Sequence, residues 1–307
     1  MSEPMTVKDP AATAMERGPS TAAGSGSAAV VDPFRIAEQP NYVVQAGEID
    51  VFGHAFSTQL PVILKGPTGC GKTRFLEYMA WKLNLPLITI SCHEDLTAAD
   101  LVGRFLLAEG HTVWQDGPLT LAVRHGGICY LDEIVEARND TTVIIHSLTD
   151  HRRTLFIDKT GELIQAHRDF LMVLSYNPGY QNIAKDLKQS TRQRFIALQF
   201  NHPDQATESA ILQSECGIDA ALAEQLAELG SQIRRLKGYG VEEGVSTRLL
   251  VYAGRLIHDG LHPAAACRAA ISQSLCDDVE TMASIDDLIG LHFPTDADPD
   301  ASADNAD

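Results

Sequence analysis

The 307-residue sequence has no long apolar segment, no close cysteine pair and few basic residues, and each absence excludes a class of protein. No uncharged apolar run approaches the roughly 20 residues that cross a bilayer. No apolar segment follows Lys8, the first basic residue, so the amino terminus lacks the pattern of a secretion signal. The six cysteines are scattered without a Cys-x-x-Cys pair, which favours reduced thiols over disulfides or a zinc ribbon. We therefore expect a soluble cytoplasmic chain with no structural metal and no membrane insertion.

The scarcity of positive charge limits the kinds of partner. The chain carries 24 Lys and Arg residues against 41 Asp and Glu residues, for a net charge of −17. This balance repels phosphate backbones, so it disfavours a general nucleic-acid binder. The acids are concentrated at the end of the chain, since residues 277–307 contain ten acids and no Lys or Arg. The rest of the chain is only mildly acidic.

Composition divides the chain into a structured centre and two tails. Twenty of the first 30 residues are Ala, Gly, Ser, Pro or Thr, and acids alternate with small residues near the carboxyl end. Such segments bury too little apolar surface to offset their ordering entropy, so we predict flexible tails over residues 1–33 and 294–307. Between them we predict an α/β domain over residues 34–203 and a smaller all-α domain over residues 204–293.

Near-continuous apolar runs in the larger domain are typical of strands in a parallel sheet covered on both faces. Five such runs alternate with helical patterns and predict a five-stranded parallel sheet. They cover residues 62–65, 87–91, 128–132, 170–177 and 195–200. A turn-like segment at 158–161 predicts a β-hairpin over residues 154–166, inserted before the fourth strand. Beyond Asn201, leucines at helical spacing predict the all-α domain, with Ser246 as a helix cap.

Residues 66–73 match the phosphate-binding loop pattern G-x-x-x-x-G-K-[ST]. In this loop, glycines let backbone N–H groups curl around phosphate oxygens, Lys72 supplies a charge to the β and γ phosphates, and the Thr73 hydroxyl completes a Mg²⁺ shell. The pattern follows a predicted strand and opens an amphipathic helix, as the chemistry requires. We predict the whole loop as the binding site for ATP and Mg²⁺: Gly66, Pro67, Thr68, Gly69, Cys70, Gly71, Lys72 and Thr73.

Polar side chains end the next two central strands of the predicted sheet. Asp132 and Glu133 follow an apolar run, where Asp132 can hold the water shell of Mg²⁺ and Glu133 can polarise an attacking water. Asn177 ends the following strand and suits a hydrogen bond to that water or to the γ phosphate. The alternative for Asn177 is a turn residue before Pro178.

Three arginines are candidates for charge stabilisation. Arg192 and Arg194 lead into the fifth strand, where a guanidinium could neutralise charge on a transferring phosphoryl group, often across a subunit boundary. Surface ion pairing is the alternative for both. Arg248 stands at a predicted helix start in the second domain, from which it could reach the nucleotide.

These motifs, in this order over an α/β domain and a helical lid, resemble the AAA+ ATPases of the MoxR branch. Residues 93–103 are similar to the helix-two insertion of that branch. Several blocks resemble the CbbQ/NorQ family within it, at residues 66–74, 114–119, 130–138, 175–181 and 190–195. The likeness spans residues 40–293. One departure is Ile-Val-Glu-Ala at 134–137, where many MoxR proteins have an Ile-Asn-Arg-Ala type sequence.

The resemblance implies a role for each candidate residue. Lys72 and Thr73 would bind the nucleotide and Mg²⁺, Asp132 would be the metal-side acid, and Glu133 the catalytic acid. The remaining roles concern sensing and the neighbouring subunit: Asn177 as sensor 1, Arg194 as a finger acting in trans with Arg192 beside it, and Arg248 as sensor 2.

The resemblance also implies a homohexameric, chaperone-like ATPase that works with a von Willebrand factor A domain protein of the CbbO/NorD type. Its client would be Rubisco, freed of inhibitory sugar phosphates, or nitric oxide reductase. Residues 159–170 and 186–195 resemble the Rubisco branch somewhat more. Loops near residues 106–114 and the 154–166 hairpin would transmit motion to the client.

Other classes stay open as alternatives. They are a monomeric phosphotransferase, a nucleotide-dependent scaffold, and a nucleic-acid translocase. The translocase is disfavoured because residues 106–116 contain no Lys or Arg.

Overall fold

The computed structural model describes residues 30–108, 110–178, 187–236 and 244–294. Most of the predicted amino-terminal tail, residues 295–307 and part of the block 175–181 lie outside these ranges. Packing begins before residue 34, because Val31 is buried and Asp32–Phe34 forms a 3₁₀ turn. The chain divides into two compact units between Asn201 and His202.

The first unit is built on a parallel sheet with two additional hairpins. Its strands are β1 (Val62–Lys65), β2 (Leu87–Ser91), β3 (Gly103–Ala108), β4 (His111–Asp116), β5 (Gly127–Asp132), β6 (Thr154–Ile157), β7 (Glu162–Gln165), β8 (Phe170–Tyr176) and β9 (Ile196–Gln199). Its helices are α1 (Glu48–Ser57), α2 (Lys72–Lys82), α3 (Ala98–Val102), α4 (Pro118–His125), α5 (Asn139–Ile144) and α6 (Gln189–Arg192).

The five-stranded parallel sheet has the order β2-β5-β8-β1-β9 and confirms the predicted sheet. Its central strands are buried on both faces, and all seven residues of β8 are buried. Alternate side chains enter two separate apolar clusters, so Ile128 and Tyr130 pack with helix α2 while Cys129 and Leu131 pack on the opposite face. The continuous apolar runs in the sequence reflect this two-sided burial.

Two antiparallel hairpins stand outside the sheet. Strands β6 and β7 form the hairpin predicted within residues 154–166. Strands β3 and β4 form a second hairpin, whereas the sequence predicted loops near residues 106–114. The run Phe105-Leu106-Leu107-Ala108 does not alternate apolar with polar residues, so it lacks the signal of a half-buried strand. The cross-strand pair Phe105–Trp114, with ring centroids 5.1 Å apart, contributes to this second hairpin.

Arg124, on α4, joins the base of the β3–β4 hairpin to the turn end of the β6–β7 hairpin. Its Nε donates to Asp116 Oδ2 at 2.8 Å, at the end of β4, and its Nη1 donates to Glu162 Oε1 at 2.6 Å, at the start of β7. The indole Nε1 of Trp114 donates to the other Asp116 oxygen at 2.7 Å. A guanidinium presents several donors in a fixed plane, so one side chain can hold both carboxylates.

The second unit is all-helical, as predicted for this part of the chain. Its helices are α7 (Gln205–Cys216), α8 (Ala220–Arg235), α9 (Thr247–His258), α10 (Pro263–Cys267), α11 (Gln273–Leu275) and α12 (Val279–His292), with a π-helical segment at Arg268–Ser272. The leucine stripe of α8 is buried, including Leu226 and Leu229. Ser246 caps α9 by accepting from the backbone N–H of Leu249, which confirms the predicted cap. Among the described helices, none is long and apolar enough to traverse a bilayer.

A buried charged cluster fixes the start of α9 to α7 and α8. Glu208 has no exposed surface and accepts two hydrogen bonds from Arg234, at 2.7 and 2.6 Å. The Thr247 hydroxyl also donates to Glu208, at 2.7 Å, and Arg234 Nε donates to the carbonyl of Val245 at 2.8 Å. Two hydrogen-bonded partners thus compensate the buried carboxylate, and both lie beside the start of α9.

We expect Glu208→Gln to destabilise the second unit strongly, because Arg234 would keep its charge in a largely buried position without a counter-charge. The predicted loss in the free energy of unfolding is about 3 kcal/mol or more. Equilibrium urea unfolding, followed by far-UV circular dichroism without nucleotide, measures it. Arg255→Gln is the control because Arg255, in its pair with Glu215, is mostly exposed. That variant should lose less than about 1 kcal/mol. Equal losses for the two variants would contradict this account of Glu208.

Candidate functional site

The loop at residues 66–73 connects β1 to α2, and its glycines are required by its backbone. Gly66 has no room for a side chain, since a Cβ there would lie 2.3 Å from the carbonyl oxygen of Phe200. Gly69 and Gly71 have φ values of 68° and 97°, which disfavour other residues. Apart from its immediate chain neighbours, no described residue lies within 4 Å of a Cβ built on Gly71. The loop is therefore tightly packed at its start and borders open space at its end.

Lys72 begins α2 and folds back over the loop. Its Nζ donates to the carbonyl oxygens of Gly66 and Pro67, both at 2.8 Å. An ammonium group has three rotatable donors, so it can exchange neutral carbonyl partners for anionic oxygens when these are present. Cys70 is buried among apolar side chains of the same face and acts as a small packing residue.

Asp132 and Glu133 lie where β5 ends, at the edge of the sheet that also carries the loop. Tyr130 donates its hydroxyl proton to Asp132 Oδ1 at 2.5 Å, and the Ser175 hydroxyl donates to the same oxygen. The backbone N–H of Glu133 donates to Ser175 Oγ at 3.0 Å. Strand β8 therefore holds both the side chain of the first acid and the backbone of the second.

The backbone of Glu133 is in the left-handed region, with φ 55° and ψ 50°. A non-glycine residue in this region costs roughly 1–3 kcal/mol, and such strain is concentrated at functional sites. Here it turns the chain sharply between β5 and the 3₁₀ helix Ile134–Glu136. The turn presents the Glu133 carboxylate beyond the end of the strand.

Strand register brings Asn177 to the same edge. Tyr176, the last residue of β8, pairs with Lys65, the last residue of β1. The next residues are Asn177 and Gly66, and the N–H of Gly66 donates to the Tyr176 carbonyl at 3.3 Å. Asn177 is therefore adjacent to the start of the loop.

Arg192 and Arg194 lie in the same unit. Their described contacts are with residues other than the loop and the two acids. Arg192 ends α6 and is half-buried. Arg194 Nη1 donates to the carbonyl of His146 at 3.3 Å and is 3.6 Å from Asp150 Oδ2. Hydrogen bonds from Arg152 hold the pKa of Asp150 well below its usual range, so Asp150 is charged at neutral pH. Arg194 is thus held against the segment 146–150.

Arg248 belongs to the second unit, where it is the second residue of α9 and is exposed. Its position follows from the Ser246 cap and from the contact of Thr247 with buried Glu208. The first unit gathers residues 66–73, Asp132, Glu133 and Asn177 at one sheet edge.

The groups at this edge suit a nucleoside triphosphate with Mg²⁺. Lys72 is a compact cation whose present partners are exchangeable carbonyls. Thr73 and Asp132 offer the hard oxygen ligands that Mg²⁺ prefers. The loop backbone is exposed to an approaching ligand beside Gly71, where a side chain would otherwise stand. The residues present therefore fit both groups.

Sequence reasoning did not identify Tyr130, Ser175 or Glu208 as site or support residues. Tyr130 and Ser175 each carry a hydroxyl inside an apolar strand, two residues before a predicted site residue. Side chains two apart lie on one face of a strand, so this spacing was a usable signal. Glu208 stands four residues before buried Leu212, on the buried face of α7.

Two family models match the two parts of the chain. Residues 61–195 match the AAA domain (dynein-related subfamily), and residues 208–292 match the CbbQ/NirQ/NorQ C-terminal domain. The first of these matches contains the loop, both acids and Asn177. The second contains Arg248.

Curated relatives match over most of their length. Protein CbbQ of Hydrogenophilus thermoluteolus is 58% identical over 245 residues, which are 80% of this chain and 92% of that protein. Denitrification regulatory protein NirQ of Pseudomonas aeruginosa is 56% identical over 253 residues, covering 82% and 97% of the two chains. Protein NorQ of Paracoccus denitrificans is 54% identical over 256 residues, covering 83% and 95%. The chain therefore belongs to the CbbQ/NirQ/NorQ family of AAA ATPases.

Proposed function

We propose that this chain is an ATP-hydrolysing remodelling motor that binds ATP and Mg²⁺ at residues 66–73. The observation that carries the proposal is the convergence, at one sheet edge, of the loop with Lys72 and the acids Asp132 and Glu133. The AAA domain match over residues 61–195 supports nucleotide binding at this edge.

Each residue has a distinct part in the proposed reaction. Lys72 would release its two loop carbonyls and donate to the β and γ phosphate oxygens. Thr73 and Asp132 would hold Mg²⁺, which, when bound, offsets charge on the phosphate oxygens. Glu133 would orient the attacking water and accept its proton, and Asn177 would hydrogen bond to that water or to the γ phosphate.

We expect Glu133→Gln to bind ATP normally and to lose most turnover, because the amide keeps the shape of the side chain but cannot accept the proton. Turnover should fall about 100-fold or more, with ATP affinity changed less than threefold. Phosphate release and equilibrium binding of a fluorescent ATP analogue measure the two quantities. Glu136→Gln removes the same charge three residues away and should retain turnover. Wild-type turnover in Glu133→Gln would remove Glu133 from this role.

We further propose that the chain works as a cytoplasmic homohexamer in which Arg194 reaches the nucleotide of a neighbouring copy, with Arg192 beside it. The exposure of Arg194 supports this. Its side chain remains about one-third exposed, although its described side-chain contacts hold it against residues 146–150 of its own chain. In the second unit, Arg248 would be the group that responds to the nucleotide.

Mixing two inactive variants tests whether Arg194 acts in trans. Arg194→Ala should assemble but lose about 10³-fold or more in turnover. Lys72→Ala carries an intact Arg194, so random 1:1 mixing should restore about a quarter of the interfaces of a closed ring. Mass photometry verifies assembly of the mixture, and phosphate release measures recovery.

Arg194→Ala mixed with the double variant Lys72→Ala/Arg194→Ala is the control, and it should show no recovery. Absence of recovery in the first mixture, with assembly verified, would exclude a finger supplied by the neighbour.

We infer that the motor acts with a von Willebrand factor A domain protein to activate Rubisco by releasing inhibitory sugar phosphates. The alternative client is nitric oxide reductase. Identities of 58% to CbbQ and of 56% and 54% to NirQ and NorQ are too close to separate the two. The preference for Rubisco depends on the sequence similarity of residues 159–170 and 186–195 to the Rubisco branch. Residue 186 lies outside the described residues.

The two hairpins are the proposed client-contacting elements. Leu107 in β3 is 80% exposed and Leu163 in β7 is 65% exposed, and Phe105 and Phe156 are also exposed. Clusters of exposed apolar side chains are typical of protein contact sites. Arg124 binds the base of the β3–β4 hairpin and the turn end of the β6–β7 hairpin, and would let the two move together.

We expect the double variant Leu107→Ser/Leu163→Ser to keep basal ATPase activity and to lose client activation by about tenfold or more, because only the proposed contact is removed. The assay combines the variant and the partner protein with Rubisco carrying a bound inhibitory sugar phosphate, and in parallel with inactive nitric oxide reductase. Leu291→Ser, at a side chain 79% exposed in the second unit, is the matched control. Undiminished activation by the double variant would exclude the hairpins as the contact.

A further inference from the structure

Tyr130 is an unexpected residue in the centre of β5. It has no exposed surface, and it interrupts a strand whose other central residues, Ile128, Cys129 and Leu131, are apolar. A buried tyrosine hydroxyl needs a hydrogen-bond partner. The partner here is Asp132, so the hydroxyl is directed at the proposed metal-side acid.

Two hydrogen bonds fix the orientation of the Asp132 carboxylate. Side chains of Tyr130 and Asp132 lie on the same face of the strand, and the phenol donates to Oδ1 at 2.5 Å. The Ser175 hydroxyl, from the neighbouring strand β8, donates to the same Oδ1. Within the described ranges, both hydrogen bonds to this carboxylate fall on Oδ1. Two donors fix the carboxylate plane and leave the capacity of Oδ2 for another ligand.

The same side chain packs against the helix that carries Thr73. Tyr130 shares an apolar cluster with Phe75 and Leu76 of α2, and Thr73 is the second residue of that helix. Because a carboxylate oxygen can only accept, the phenol is the donor in its contact with Asp132.

We propose that Tyr130, assisted by Ser175, is a positioning residue that presets the Asp132 carboxylate to bind a divalent cation beside Thr73. The proposal rests on the proposed function, in which Thr73 and Asp132 hold Mg²⁺. Outer-shell hydrogen bonds of this kind orient ligands at metal sites. Phenylalanine would fill the same space but would leave Asp132 with one donor, Ser175.

The test measures cation affinity directly, with full-length Tyr130→Phe and Ser175→Ala. Binding of Mn²⁺ in the presence of a non-hydrolysable ATP analogue is followed by electron paramagnetic resonance. Each variant should weaken Mn²⁺ binding about tenfold or more. Affinity for the analogue in EDTA should stay within twofold, because Lys72 and the loop are unchanged. A merely structural role would shift thermal unfolding without this cation-specific loss.

Tyr42→Phe is the matched control. Its hydroxyl also donates to a carboxylate, that of Glu48, at 2.7 Å. Tyr42→Phe should leave Mn²⁺ affinity unchanged. That result would show that the loss of a tyrosine–carboxylate hydrogen bond elsewhere in the chain does not weaken Mn²⁺ binding.

The outcomes separate this inference from the proposed function. Thr73→Ala and Asp132→Asn test the cation site itself, so unchanged Mn²⁺ affinity in those two would contradict the proposed function. If they lose affinity while folded Tyr130→Phe stays within twofold of wild type, the positioning role is overturned. Should Tyr130→Phe fail to unfold cooperatively, Ser175→Ala decides alone. Unchanged Mn²⁺ affinity in that variant overturns the proposal.

Discussion

The parallel register of three neighbouring strands, β5, β8 and β1, is the constraint on which the site depends. It sets Lys65 opposite Tyr176 and Leu131 opposite Leu174, so the loop, Asn177 and the two acids all emerge at one edge. Parallel strands present their carboxyl ends together, and ligands bind in the crevice beyond them. Ser175 reinforces this register because its hydroxyl contacts Asp132 and accepts from the backbone of Glu133. A change in register by one residue would reverse every one of these side chains.

The site combines a rigid support with groups that can change partners. Gly66 is packed against Phe200, Asp132 is fixed by two donors, and Glu133 is held in a strained backbone conformation. Lys72, in contrast, contacts only exchangeable loop carbonyls among its described hydrogen bonds. Preorganised acids lose little free energy to reorganisation when charge develops. The ammonium group of Lys72 can then move with the phosphate oxygens as their positions change.

Sequence predicted the parts of this molecule that local patterns encode. Strands β1 and β2 have the predicted bounds because continuous apolar runs report burial on both faces, and the glycine spacing of residues 66–73 reports a loop that only glycines can form. The hairpin at Gly103–Ala108 and His111–Asp116 was missed because its exposed apolar residues do not alternate. Glu208 was missed for a different reason. Its partner Arg234 lies 26 residues away, and no local pattern announces a contact between two helices. The roles of Arg192, Arg194 and Arg248 come from the family resemblance, since arginine spacing alone does not distinguish a finger from an ion pair.

The central claim is that copies of this chain jointly enclose each nucleotide at the β1 loop. The most direct measurement is a cryo-electron microscopy or crystal structure of the wild-type assembly with Mg²⁺ and a non-hydrolysable ATP analogue. The account predicts triphosphate along residues 66–73, Mg²⁺ beside Thr73 and Asp132, and Arg194 of an adjoining copy contacting the γ phosphate. Nucleotide bound at another site, or at this loop without contact from any adjoining copy, would contradict it.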